Sequence, residues 1–267
     1  MLAAVVPAKN EEKRIAQVLR SLRSLGPDII LPVVNGCTDG TLDEIQALGW
    51  PEIKVVYFRE SLGIDVPRAV GAKTARDLGA ECVLFVDGDM VGDLAPALQD
   101  LVEAVGSGAA LALTNCYPSF ASLSHLSRLV LAFRYRLNRS CGLADKIGVA
   151  SPSHGPLAVS REFLLRVPLQ TLAIPPVALV TAHLYGLPIK VAATIPHAKL
   201  KSAIKDDQHA QLVADTIIGD CLEALCIYQG KPPSRSYCGR EFLGYHPQRR
   251  WDLLADYLEE GKDWRSF

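Results

Sequence analysis

Residues 83–90 read "VLFVDGDM", an apolar run that stops abruptly on two aspartates flanking one glycine. A short run of β-branched and aromatic residues is a buried strand, so Asp87 and Asp89 stand together where that strand ends. Asp and Gly are ordinary turn residues, and a solvated turn would use them. Two carboxylates one residue apart also make a cation site. The neighbouring sequence decides between these readings.

Three runs of the same character precede it: "LAAVVP" (2–7), "IILPVV" (29–34) and "IKVVYF" (53–58). Between them Ile15, Val18, Leu19 and Leu22 recur at helical spacing after Asn10, which reads as a cap with Glu11 and Glu12 in the first turn. Thr41 and Glu44 have capping-box spacing for a second helix, and a third is expected from about Val66 to Leu78. Strands alternating with helices in this way form an α/β fold, a mostly parallel central sheet flanked by helices. In open sheets of this kind ligands bind beyond the carboxyl ends of the strands. Those ends read "PAKNEE" (7–12), "NGCTDGT" (35–41), "RESLGIDVPRA" (59–69) and "DGDM" (87–90), and so many polar ends on one rim point to a nucleotide pocket.

The chain has 267 residues, 49% hydrophobic and 21% charged, which is globular usage with a sizeable core. A net charge of -1 gives no overall pull toward nucleic acid, and no nucleic-acid partner is expected. Seven cysteines without a Cys-x-x-Cys pair suit neither a disulfide framework nor structural zinc, which implies a reducing, cytoplasmic setting. The opening "MLAAVVPAKN" is too short for a signal core, and no apolar run reaches the roughly 18–20 residues of a membrane span. The absence of G-x-x-x-x-G-K-[ST] leaves no P-loop, and the absence of Gly-x-Gly-x-x-Gly after the first strand leaves no dinucleotide cradle. A diphosphate would then be neutralised by a hard divalent cation on the paired carboxylates, Mn²⁺ or Mg²⁺.

The order "VVPAKNEEKRI" (5–15), "VVNGCTDGT" (33–41), "LGIDVPRAVGAKTA" (62–75) and "VLFVDGDM" resembles the nucleotide-binding half of a family 2 glycosyltransferase of the GT-A fold. A fainter similarity continues through "GPLAVSREFL" (155–164) and "YGLPIKVAATIPH" (185–197). The resemblance implies a nucleotide-diphosphate sugar donor, a UDP-sugar being favoured, and a divalent metal. It also implies transfer of the sugar, a hexosyl group, to an acceptor the sequence does not identify. Carried over by position, Pro7, Ala8, Asn10 and Glu11 line the nucleoside pocket, and Asn35 with Gly36 stands where the family has an acidic base contact. Arg68 stands near base and diphosphate, Asp87 and Gly88 at the nucleotide, and Asp87, Asp89 and His197 at the metal. Gly63 and Gly71 are backbone-approach positions, and Lys199, Lys201 and Lys205 form a flap or a solvated basic face.

Inverting relatives carry an acid about a dozen positions before the late glycine. Here that stretch, "LAIPPVAL" (172–179), has no carboxylate. Asp145 and Asp220 are the substitutes, either of which would act as a base, and His154 is a candidate acceptor contact. The alternative is a reaction that retains configuration and needs no such base. Residues 124–140 combine apolar residues with Arg128, Arg134, Arg136 and Arg139, a basic helix able to lie on a membrane, cover an acceptor groove or pack into the core. One domain is expected over 1–230, with a donor half (1–115) and an acceptor half (116–230). The extension 231–267 ends in a short helix near "WDLLADYLEE" that packs on the domain or on a second subunit of a homodimer. Two other readings stand beside this one: a sugar-phosphate nucleotidyltransferase, disfavoured because "VVPAKNEEKRI" lacks that class's glycines, and a catalytically degenerate nucleotide-sugar binding protein.

Overall fold

The structure, a computed structural model, describes residues 1–121, 123–202 and 206–259. β1 (Leu2–Ala8), α1 (Ile15–Arg23), β2 (Ile29–Asn35), α2 (Thr41–Ala47), β3 (Val56–Phe58), α3 (Val66–Asp77) and β4 (Cys82–Phe85) follow the expected alternation. α4 (Ala95–Gly106), β5 (Leu111–Asn115), α5 (His125–Ser140), α6 (Ala144–Ile147), β6 (Leu157–Ser160) and α7 (Arg161–Arg166) come next. α8 (Pro175–Leu184), β7 (Ile189–Thr194), α9 (His197–Leu200) and α10 (Asp207–Tyr228) precede the short hairpin β8 (Ser236–Tyr237) and β9 (Arg240–Glu241), and α11 (Trp251–Leu258) is the last described element.

Seven strands form one sheet in the order β3-β2-β1-β4-β6-β5-β7. β3, β2, β1 and β4 are mutually parallel, β6 runs against both β4 and β5, and β7 is parallel to β5. β2 is buried along its whole length, and alternate residues of β1 enter two different cores, the signature of a sheet covered on both faces. Ala3 and Val5 belong to the core shared with α3, α5, α8 and α10, whereas Ala4 and Val6 belong to the core shared with α1, α2 and α4. α3 lies so close to β1 that a Cβ on Gly71 would stand 2.2 Å from Val5 Cγ1. Gly71→Ala is therefore expected to cost about 1–3 kcal/mol by overpacking, read as a lowered urea midpoint at unchanged slope.

Three local expectations are corrected. α1 starts at Ile15 with Arg14 in the cap position, because Asn10 turns left-handed (φ 58°) and gives its side chain to the second loop instead. Thr41 is the first residue of α2, and the carboxylate of Asp39 accepts its N–H at 3.1 Å, so Asp39 starts the helix and the Thr41–Glu44 box does not form. In α5 the apolar stripe Val130, Phe133 and Leu137 is buried in the core beside α10, leaving Arg128, Arg136 and Arg139 outside. The face that would enter a bilayer is thus already used. Among the described residues no helix is long and apolar enough to cross a membrane.

The C-terminal extension packs on its own domain. Tyr257 of α11 is buried against α3, its hydroxyl 2.7 Å from Thr74 Oγ1. Gln248 and Arg249 press on Gly63, where a Cβ would meet the Gln248 carbonyl oxygen at 2.5 Å; at φ +89° the position suits glycine on both counts.

Candidate active site

Strand direction gathers the polar loops. The carboxyl ends of β1, β2, β3 and β4 share one edge, and antiparallel β6 begins there, with Leu157 opposite Phe85. β5 ends beside the start of β6, and Asn115 pairs with Thr194 at the end of β7. The segments after β1–β5 and β7, together with the loop leading into β6, therefore meet on a single rim.

The first three loops are tied to each other. Asn10 Oδ1 accepts the Thr38 N–H at 2.8 Å, and Glu11 N–H donates to Thr41 Oγ1 at 2.8 Å. Pro7 and Ala8 sit at the base of this turn, next to Gly88. Asn35 was expected at the base, and the structure gives it other work. It is 5% exposed, its Oδ1 accepts the Leu62 N–H at 2.5 Å and its Nδ2 donates to the Gly63 carbonyl at 3.2 Å. Gly36 likewise serves close approach of loops: a Cβ there would lie 2.5 Å from Ser61 N.

Gly88 places the carboxylates. Its N–H donates to the Pro7 carbonyl at 2.9 Å, and a Cβ would stand 3.0 Å from that oxygen and 3.2 Å from Ile15 Cδ1, so the turn carrying Asp87 and Asp89 is seated against the end of β1. Both aspartates are part-exposed. Arg68 Nη2 donates to Asp87 Oδ1 at 2.8 Å and Oδ2 at 3.0 Å, Nη1 donates to the Pro152 carbonyl at 3.1 Å, and Nε lies 3.5 Å from Asp65 Oδ1. Arg68 is 5% exposed, so it is not a surface ion pair, and with both terminal nitrogens bonded it fixes Asp87 to the loop before β6. Burial opposes its charge, and the Asp87 and Asp65 carboxylates overcome that and keep it protonated. Burial also pushes the Asp65 carboxyl up to about 6 against the pull of Arg68 and Arg249. The donor set of Asp87 and Asp89 is hard and oxygen-only, which fits Mn²⁺ or Mg²⁺.

His154 and His197, separated by 43 positions, meet: His154 Nε2 is 3.0 Å from His197 Nδ1. Tyr117 stacks on both, with ring centroids 5.4 and 5.9 Å away. The His197 N–H donates to the Cys116 carbonyl, which fixes the start of α9 to the end of β5. Burial, then the Arg134, His197 and Arg68 charges, hold His154 well below the ordinary histidine range, so it is a neutral hydrogen-bonding group and a poor general base. Gly92 accepts the close passage of this segment, since a Cβ would lie 2.0 Å from the Lys199 carbonyl oxygen. Lys199 and Lys201 are exposed, and Lys205 lies outside the described residues.

Asp220 is corrected from a catalytic candidate to a structural ion. It is 1% exposed on α10, not solvent-facing. Arg249 grips it through Nη1–Oδ1 at 2.9 Å and Nη2–Oδ2 at 2.8 Å, and Arg235 Nη1 reaches Oδ1 at 2.7 Å and Glu223 Oε2 at 2.9 Å. Among the described residues the one group of three His, Cys, Asp or Glu with ligand atoms within 4.8 Å of one another is Asp220, Glu223 and His246. Its acceptors are taken by guanidinium donors, His246 Nδ1 by Arg249 Nη1 at 2.9 Å included, and a cation there would face two arginines. It also follows that Asp87, Asp89 and His197 are not drawn together that tightly. Asp145 is exposed on α6. The segment 172–179 is a buried apolar turn and helix start.

His246 carries a pH signature. Burial, followed by Arg235 and Arg249, lowers its pKa to about 4. An unfolded histidine protonates near 6.5, so this contribution to stability is complete above that value and is lost as pH falls toward 4. In a histidine-labelled NMR titration the His246 resonance should stay at its neutral shift at pH 5.5, where an ordinary histidine is mostly protonated.

Sequence reasoning missed Tyr117, Ser153 and the tail arginines, and took Arg134 only as one of the basic residues of α5. Arg134 was visible in one respect: it lies four residues after Val130 and three before Leu137, on the apolar stripe of α5 where a charge has no ordinary reason to be.

The family model for "Glycosyl transferase family 2" matches residues 3–164. Among the curated proteins no match was found. Of the solved structures, glucosyl-3-phosphoglycerate synthase from Mycobacterium tuberculosis in complex with Mn²⁺, UDP and glucosyl-3-phosphoglycerate is 21% identical with a TM-score of 0.60, covering 88% of this chain and 82% of that one. The same enzyme with Mg²⁺ and UDP gives 20% identity and a TM-score of 0.58 over 88% and 81%. Mannosyl-3-phosphoglycerate synthase from Rubrobacter xylanophilus gives 15% and 0.60 over 90% and 78%.

Proposed function

Because the chain belongs to glycosyl transferase family 2, and is by that membership a glycosyltransferase of the GT-A fold, we propose that it moves a hexosyl group from a UDP-sugar to an acceptor hydroxyl with the help of a divalent cation. The observation that carries this reading is the seating of Asp87 and Asp89 against the end of β1 by Gly88, with Arg68 holding one of the pair. Asp87 and Asp89 hold the cation, and His197 stands across the rim as a further neutral ligand to metal or phosphate. Bound there, Mn²⁺ or Mg²⁺ supplies Lewis-acid stabilisation of the leaving diphosphate, worth several kcal/mol. Pro7, Ala8, Asn10 and Glu11 form the wall against which the nucleoside lies, and Asn35 and Gly36 keep the facing loop in place behind it. His154, on the loop before β6, faces the acceptor side as a hydrogen-bonding group. UDP with Mn²⁺ or Mg²⁺ in the mycobacterial enzyme supports the choice of base and metal.

A thermal-shift panel tests it. UDP with Mn²⁺ should raise the melting temperature, since a ligand at a hundredfold over its Kd adds about 2.7 kcal/mol to the folded state. A shift with GDP and none with UDP overturns the base, and no shift with either overturns the reading. Mn²⁺-dependent hydrolysis of UDP-hexoses then separates an enzyme from a binding protein that has lost its chemistry.

A further inference from the structure

We propose that the side-chain cluster of Arg134, Ser153, His154 and Tyr117 receives an oxyanion of the acceptor, a phosphate monoester or a carboxylate. The proposal rests on the glycosyltransferase reading and names the chemical class of the second substrate. Arg134 is 2% exposed. Its Nη2 donates to Ser153 Oγ at 3.0 Å, and its Nε is buried with no hydrogen-bond partner among the described residues. No described carboxylate lies within ion-pair distance of it, whereas the other deeply buried rim and tail arginines, Arg68, Arg235 and Arg249, each grip an aspartate.

An arginine cannot escape this position by giving up its proton, so the fold carries an uncompensated buried charge. Such a charge costs stability unless something outside the chain completes it. Its guanidinium fork matches carboxylate and phosphate oxygens in paired hydrogen bonds. The surroundings repeat that preference. Ser153 is bonded in turn to Ser151 at 3.0 Å between hydroxyls, His154 follows Ser153 on the same loop, and Tyr117 packs over the two histidines. The donor's diphosphate is a weaker match, because the cation proposed on Asp87 and Asp89 already neutralises it, while Arg134 and Ser153 belong to α5 and the loop before β6, next to the Pro152 carbonyl that accepts from Arg68. Placed there, the oxyanion would sit beside His197 and would orient a neighbouring hydroxyl of the acceptor toward the rim.

The test uses the full chain and inorganic phosphate as probe, with acetate as the carboxylate arm and glycerol as the uncharged control. Titration calorimetry in saturating UDP and Mn²⁺ should show phosphate or acetate binding to the wild type, glycerol should show none, and the stronger anion names the source. Arg134→Met should weaken anion binding at least tenfold, leave UDP binding within twofold, and raise the melting temperature of the ligand-free protein, because it removes an unpaired buried charge. Arg134→Lys should keep part of the anion affinity. A Met variant that melts lower or fails to fold assigns the guanidinium to the fold and overturns the proposal. So does loss of UDP binding in the Met variant, or anion binding unchanged in it. If the wild type binds UDP and no anion, only this inference fails; if it binds no nucleotide, the glycosyltransferase reading fails first.

Discussion

Asp89→Ala is expected to lower Mn²⁺-dependent hydrolysis of a UDP-hexose by ~10²–10³, the scale seen when one preorganised electrostatic stabiliser is removed from an active site. Asp89 is part-exposed on the turn after β4 and outside both hydrophobic cores, so the ligand-free variant should melt close to wild type. The loss should appear as a much higher Mn²⁺ concentration for half-maximal rate and as a UDP thermal shift that Mn²⁺ no longer enlarges. Arg68 makes the neighbouring position less clean: removing Asp87 takes the two-point carboxylate partner from a buried guanidinium, and stability falls together with activity. Asp89 is therefore the sharper probe. A variant with wild-type metal dependence would remove the carboxylate pair from the chemistry.

Asp220→Ala should act in the opposite way, on stability. Two guanidiniums lose their shared carboxylate in a site where Asp220 and the Arg249 side chain are at most 1% exposed. Breaking a buried pair by deleting one partner costs about 3–5 kcal/mol, against a much smaller worth for the intact pair over an apolar substitute. For a chain of this size the melting temperature should fall on the order of 10 °C. Turnover measured well below that transition should change far less than in the Asp89 variant. The reverse pattern, an intact fold with abolished turnover, would return Asp220 to the catalytic machinery. The deletion also loosens the tail, since Arg249 spans Asp220, the Ile64 carbonyl and, at 3.5 Å, Asp65.

What the sequence disclosed depended on whether the determining interactions were local. β1 to β4 and α3 were legible because apolar runs and helical spacing are properties of neighbouring residues, and the rim followed from strand direction alone. The position of Asp87 and Asp89 just beyond β4 was legible for the same reason. The partners that hold Asn10, Asn35 and Gly36 in place were not legible, because their hydrogen bonds and close contacts cross 24 to 28 residues, from Asn10 to Thr38, Asn35 to Leu62 and Gly36 to Glu60. The pairing of His154 with His197 needed β5, β6 and β7 to be ordered in space, and antiparallel β6 could not be read from an apolar tetrapeptide. Asp220 failed for want of its partners: an acid in an apolar helix looks the same from sequence whether it faces water or two arginines supplied by a tail 15 and 29 residues further on.

Diffraction at the manganese absorption edge from crystals soaked with UDP and Mn²⁺ bears most directly on the metal assignment. The expected anomalous peak lies on the rim, about 2.1 Å from a carboxylate oxygen of Asp87 or Asp89 and in contact with the diphosphate. Manganese seated instead among Asp220, Glu223 and His246, or nucleotide bound on the rim with no metal beside those two aspartates, would contradict it.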